Sequence, residues 1–209
     1  MIKDLYPDAD ILSQSGYWDE ATRNVVYDRV HNVPDYHFFD HHQQRCLEAL
    51  ADTVVPQEHR PADRRIVIGP RIDQICSQTE ERGVRYDDMP PQREAWVQGL
   101  TGLDQTARIV FDADFADLSD EQRREVVRRV ADGDPPGAVW QEIPAQRWWQ
   151  VLAVRQITGI YYAHPYAWDD IGFGGPAYPR GYYALNHGAP EPWEAREHGG
   201  YTEEELRSS

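Results

Sequence analysis

Cysteine is almost missing from this chain of 209 residues: Cys46 and Cys76 are the only two, and neither lies in a C-x-x-C pair or beside a histidine at metal spacing. That excludes an iron–sulfur or zinc-finger site within the chain and predicts two buried free thiols, a disulfide being open only to a chain outside the cytoplasm. Long apolar runs are missing as well. The best candidate, Val151 to Ala163, is interrupted by Arg155, Gln156 and Thr158, well short of the ~20 apolar residues that cross a bilayer. Basic charge is scarce: 21 Lys and Arg face 36 Asp and Glu, for a net charge of −15. Such a surface repels phosphate backbones and anionic membranes, so nucleic acid is not an expected partner. It favours solubility, or a basic docking face on another protein. The acid is concentrated towards the C-terminus, where Glu191, Glu194, Glu197, Glu203, Glu204 and Glu205 stand against Arg196 and Arg207. Residues Met1 to Asp8 hold neither a basic segment followed by an apolar one nor an arginine pair. The expectation is a chain with no export signal of its own and a cytoplasmic location.

Catalytic signatures are lacking too. There is no G-x-S-x-G, and the serines are flanked by polar residues. The run Gly172-Phe173-Gly174-Gly175-Pro176 lacks the G-x-G-x-x-G spacing and follows no strand, so it is read as a turn. Asp169 and Asp170 are adjacent and point in different directions, which gives no paired-carboxylate geometry. His31, His37, His41 and His42 crowd one stretch, and His37 with His41 has the i, i+4 spacing of ligands on a helix face. No H-E-x-x-H accompanies them, and a solvated or capping role is the preferred reading, with no metal, catalytic or cofactor-binding residue assigned.

What is present reads as helix. No segment alternates like a strand. Apolar residues at helical spacing place helices over about 37–55, 70–82, 91–113 and 145–162, and a shorter one runs from Trp18 through Val25, Val26 and Val30. Pro56 closes the first of these, and Gly99 and Gly102 in the third are expected to let another backbone approach closely. Ser119-Asp120-Glu121-Gln122 matches a capping box, and Gly133 with Pro135 and Pro136 ends the helix it starts. The fold class is therefore mostly α, a compact bundle of five or six helices with irregular aromatic, Gly- and Pro-rich ends. Residues 1–36 are assigned to an N-terminal arm, 37–163 to the helical core, and 164–209 to a C-terminal wrap and acidic tail, one domain overall.

Residues 161–183 are the most informative stretch: eight of 23 are aromatic, with four Gly and three Pro. That much Gly and Pro cannot continue a helix, and that many rings do not suit a disordered tail. The segment is expected to be ordered, non-repetitive and packed through its rings. It either wraps the chain's own core or docks on a second protein, Tyr, Trp and Arg being the side chains enriched at interface hot spots. The two readings are compatible, with some rings inside and others outside.

The run Gly159 to Tyr182, with its His164-Pro165 and Pro179-Arg180-Gly181-Tyr182 elements, resembles the end of the gluconate 2-dehydrogenase subunit 3 family. Leu47 to Pro56, Ile72-Asp73 and Tyr86 to Trp96 are similar to that family as well. The resemblance implies a non-catalytic accessory subunit that stabilises or matures a large FAD-dependent flavoprotein of the glucose–methanol–choline type acting on a sugar, sugar acid or glycoside. It also implies a cytochrome c subunit as a further partner, with FAD held by the large subunit and no cofactor in this chain. Many members carry a twin-arginine signal that this chain lacks, so a periplasmic complex would require the partner to supply one. The alternatives are a transient maturation chaperone, or an autonomous enzyme using His164 with Asp169 or Asp170 as acid–base groups. The residues expected to bind the partner are Tyr162, His164, Trp168, Phe173, Gly174, Gly175, Pro176, Tyr178, Pro179, Arg180 and Tyr182.

Overall fold

A computed structural model describes residues 6, 7, 9–78, 86–178 and 181. Among them every regular element is helical, as the apolar spacing predicts. The α-helices are α1 (Glu20–His31), α2 (His41–Val54), α3 (Gly69–Ser77), α4 (Gln92–Phe111), α5 (Asp120–Asp132), α6 (Ala145–Arg147), α7 (Val154–Ala163) and α8 (Pro165–Asp170). A π turn, Trp148–Ala153, joins α6 to α7, and short 3-10 turns lie at Ile11–Tyr17, Ala62–Arg64, Phe115–Asp117 and Val139–Gln141. The chain divides into two units, residues 33–161 and residues 1–32 with 162–209.

The larger unit packs around α2 and α4. Helix α2 starts at a capping box, in which Asp40 accepts from the Gln43 amide and Gln43 accepts from the Asp40 amide, and it buries Cys46, Leu47, Ala49, Leu50 and Ala51. The Cys46 Sγ lies 3.7 Å from the Leu100 carbonyl, and both cysteines are buried free thiols. Burial pushes the Cys76 thiol up to about 12 and the Cys46 thiol well above its ordinary range, so neither is a nucleophile at neutral pH. Helix α5 carries the Ser119/Gln122 capping box, and Gly133 in the left-handed region (φ +83°) ends it.

Three tryptophans fill the space beside α4. Trp148 meets Trp96 edge-on with ring centroids 5.8 Å apart, and it lies 5.7 Å from Trp140. A methyl at Gly99 would land inside the Trp148 indole, and one at Gly102 would come within 2.5 Å of Trp140 Cζ2. The close approach expected at these glycines is therefore made by aromatic rings, not by another backbone. Trp149, read from spacing as an inward residue, is only half-buried, whereas Trp148 is fully buried. The π turn adds a residue to this turn and shifts the buried stripe.

Buried polar groups fix the loops. The Asp73 carboxylate, fully buried on α3, accepts from the amides of His37 (2.7 Å), Phe38 (3.0 Å) and Phe39 (2.8 Å). Those bonds hold residues 37–39 out of the helix, so α2 begins four residues later than its spacing suggests. Buried Asp104 accepts from the Phe115 amide (2.9 Å) and pairs with His42 Nε2 (2.6 Å). Gln57 binds both the amide and the carbonyl of Ile66.

Candidate docking surface

The smaller unit joins the two ends of the chain. Asp19 caps α1 by accepting from the Thr22 amide (2.8 Å), and hydrogen bonds from the Thr22 side chain and then its amide lower the carboxyl below the usual range. Ile11, Trp18, Val26 and Trp168 form its core, with Leu12 packed against them. Helix α8 is a departure from the expectation of an unbroken irregular run. The chain breaks at His164, whose Nδ1 accepts from the Tyr166 amide (3.2 Å), and Pro165 then occupies the first helical turn, where its missing N–H costs nothing. The helix ends at Asp170, and Gly172 at φ +63° makes the turn that the glycine run was expected to shape.

Long-range bonds clasp the two ends. Asp169 Oδ1 accepts from the Ile11 amide (2.8 Å), and Arg29 Nη1 donates to the Ala163 carbonyl (2.9 Å). Arg23 donates to the carbonyls of Ser15 (3.2 Å) and Trp18 (2.9 Å). The Trp168 indole N–H donates to the Tyr162 carbonyl (2.8 Å), and its ring meets Phe173 edge-on at 5.4 Å. Gly172 and Gly175 lie where a methyl would strike Tyr6 and Ile11 respectively, so these glycines serve the unit's own packing and form no open cradle for a phosphate.

The expected partner-binding residues separate into layers. Tyr162 is 49% exposed, Phe173 39% and Tyr178 66%. His164, Gly174 and Pro176 are half-buried. Trp168, at 6% exposure, and Gly175 face inward. Pro179, Arg180 and Tyr182 lie outside the described residues. The rings therefore divide into an inner and an outer set within one unit.

Sequence reasoning passed over the N-terminal contribution. Tyr17, Val25 and Tyr27 are exposed, and with Tyr162, Ile171, Phe173 and Tyr178 they make seven of the twelve large apolar side chains exposed among the described residues. All seven belong to the smaller unit. The short helix read from Trp18 through Val30 is present as α1, and what its spacing did not show is that its outer face carries exposed apolar side chains. Four carboxylates of this unit, Asp10, Glu20, Asp28 and Asp170, are also exposed.

The other candidates have structural partners. His37 precedes α2, so His37 and His41 do not share a helix face. His42 bridges α2 to Asp104, and its Nδ1 lies 3.8 Å from Asp114, which is itself paired with Arg108 (2.7 Å) and held below the usual carboxylate range by that bond. Among the described residues no three His, Cys, Asp or Glu side chains are grouped to hold a metal ion. No described helix is long and apolar enough to cross a membrane.

Residues 41–175 match the family model described as gluconate 2-dehydrogenase subunit 3. No curated protein and no solved structure matches the chain.

Proposed function

Since the chain belongs to the gluconate 2-dehydrogenase subunit 3 family, we propose that it is a non-catalytic small subunit that binds and stabilises a large oxidoreductase subunit. On this reading the large subunit is of the FAD-dependent glucose–methanol–choline type and oxidises a sugar, sugar acid or glycoside. FAD and the hydride chemistry belong to it, with a cytochrome c subunit as its electron acceptor where one is present. The observation that carries the reading is the concentration of exposed rings on the unit built from the chain's two ends. Exposed apolar groups in such numbers mark interaction surfaces, and tyrosine supplies large contact area at little cost in side-chain entropy. Tyr162, Phe173 and Tyr178 are the proposed anchors, His164, Gly174 and Pro176 adapt around them, and Trp168 with Gly175 supports them from within. Pro179, Arg180 and Tyr182, outside the described residues, are proposed as further contacts, Arg180 through a two-pronged bond to a partner carboxylate. The proposal extends to a cytoplasmic complex, a setting in which Cys46 and Cys76 stay reduced.

Co-expression of the chain with a tagged large subunit, followed by size exclusion and flavin analysis, tests this. A persistent flavin-containing heteromer supports it. A flavin-loaded large subunit that has shed the chain would replace the subunit reading with that of a maturation chaperone. Substrate oxidation by the isolated chain would overturn both.

A further inference from the structure

We infer that the turn Ile11–Tyr17 and helix α1 form half of the docking face, and that this face fits a protein surface whose apolar pockets are rimmed by Lys and Arg. The inference rests on the subunit reading above and goes beyond it by naming the segment that selects the partner.

The first support is the layering of α1. Trp18 and Val26 are buried in the core with Trp168, while their neighbours Tyr17, Val25 and Tyr27 are exposed. The inner side chains, the Asp169 bond to the Ile11 amide and the Arg29 bond to the Ala163 carbonyl fix the backbone that carries the outer ones. A surface held in place before contact loses less conformational entropy on binding. The second support is the direction of charge. Arg23 and Arg29 are turned onto carbonyls within the unit, whereas Asp10, Glu20, Asp28 and Asp170 are exposed. The complementary surface is basic around apolar pockets, and such pairing steers encounter and rejects wrong partners. The third support is the extent of the family match, which begins at residue 41 and ends at 175. Residues 11–31 lie outside that match, so the outward side chains Tyr17, Val25 and Tyr27 add surface beyond the part of the chain that the family model describes. Discrimination between large subunits needs surface of that kind.

The test uses the complex of the full chain with its co-expressed large subunit and measures Kd by surface-immobilised titration. Val25→Ala/Tyr27→Ala raises the helix propensity of α1, and unchanged circular dichroism guards against unfolding. This double variant is expected to raise Kd at least about tenfold. The wild-type Kd is expected to rise with salt, and Glu20→Gln/Asp28→Asn to flatten that rise. Ile109→Ala, an exposed site on α4 of the larger unit, is expected to bind like wild type. A wild-type complex that forms but ignores both double variants overturns the inference and leaves the subunit reading standing. An effect of Ile109→Ala as large as that of the α1 variant also overturns it, by placing the contact elsewhere. No complex with wild-type chain overturns the subunit reading, and this inference with it.

Discussion

Trp168 distinguishes a ring that supports the proposed docking surface from the exposed rings proposed to make contact. Replacing Trp168 with Ala removes a buried indole from a core otherwise made of Ile11, Trp18 and Val26. It deletes the bond to the Tyr162 carbonyl and the edge-on contact with Phe173. Aromatic-to-Ala changes in a core cost about 3–5 kcal/mol, of which the hydrogen bond accounts for roughly 1 and the ring pair for roughly 0.5–1.5. A core of four buried side chains has little stability in reserve, so the loss should appear as opening of the smaller unit. Each ~1.4 kcal/mol is tenfold in an opening equilibrium, so amides of α1 should exchange about two to three and a half powers of ten faster in Trp168→Ala. Amides of α4 should be unaffected. Trp168→Phe keeps the ring and loses the bond, so it should fall between the two. Tyr178→Ala removes an exposed ring and should leave α1 exchange unchanged while weakening the complex by more than about 1 kcal/mol. If Trp168→Ala left α1 exchange unchanged and still abolished binding, the indole would be an interface residue and the layered description would fail.

Three further perturbations test the larger unit. Asp73→Ala leaves the amides of His37, Phe38 and buried Phe39 without their charged acceptor, and should cost about 2–3 kcal/mol in urea unfolding; Asp73→Asn should recover part of that, and a cost for Asp73→Ala below about 1 kcal/mol would contradict the role assigned to the carboxylate. Gly99→Ala drives a methyl into Trp148 and should destabilise by about 1–3 kcal/mol, while Gly159→Ala, with no atom near its added methyl, should stabilise by roughly 0.5–1 kcal/mol through helix propensity; thermal melts showing one sign for both would refute the packing argument. Burial raises the Glu48 carboxyl above its ordinary range, partly offset by the Tyr36 hydroxyl that donates to it. The folded state then binds the Glu48 proton more tightly than the unfolded chain, so this group's contribution is fully present below about pH 4.5 and is lost as pH rises through the folded value. Glu48→Gln keeps an acceptor for Tyr36 and should gain stability over wild type as pH rises above that point; a gap that narrows instead would reverse the assignment.

Local signals located the helices of the larger unit because each start and stop is encoded within a few residues. Ser119 with Gln122, Gly133, and Pro56 after α2 act through their own backbone neighbours. What escaped the sequence depends on contacts far apart in the chain. Asp73 unwinds residues 37–39 from 34 to 36 residues away, and no periodicity within 37–55 reveals it. The π turn at Trp148 adjusts a buried stripe by one residue, below the resolution of a spacing argument. The Asp169 bond to the Ile11 amide spans 158 residues, so the pairing of the two ends leaves no local trace. Helix α8 was missed for a different reason: the density of Gly and Pro around it outweighed the favourable placement of Pro165 at its first turn.

Residues 161–183 were expected to wrap the chain, to grip a partner, or to do both, and their described part packs some rings inward and leaves others exposed. Trp168 and Gly175 can face inward only because residues 11–26 supply Ile11, Trp18 and Val26 as the other wall of the core. Once that wall exists, the alternation of burial along the 3-10 turn and short helices leaves Tyr162, Phe173 and Tyr178 outside, as it leaves Tyr17, Val25 and Tyr27 outside on the opposing segment. None of these outer rings is required to close the core. In water, each exposes apolar area whose removal is worth about 25 cal/mol per Å². Among its described residues the larger unit, over a much longer stretch, exposes only Val33, Val67, Ile75, Tyr86 and Ile109, a scatter that ordinary surfaces tolerate. The rings left outside the smaller unit are the surface that the proposed large subunit would cover, and burying them there would recover the apolar area that folding alone leaves in water.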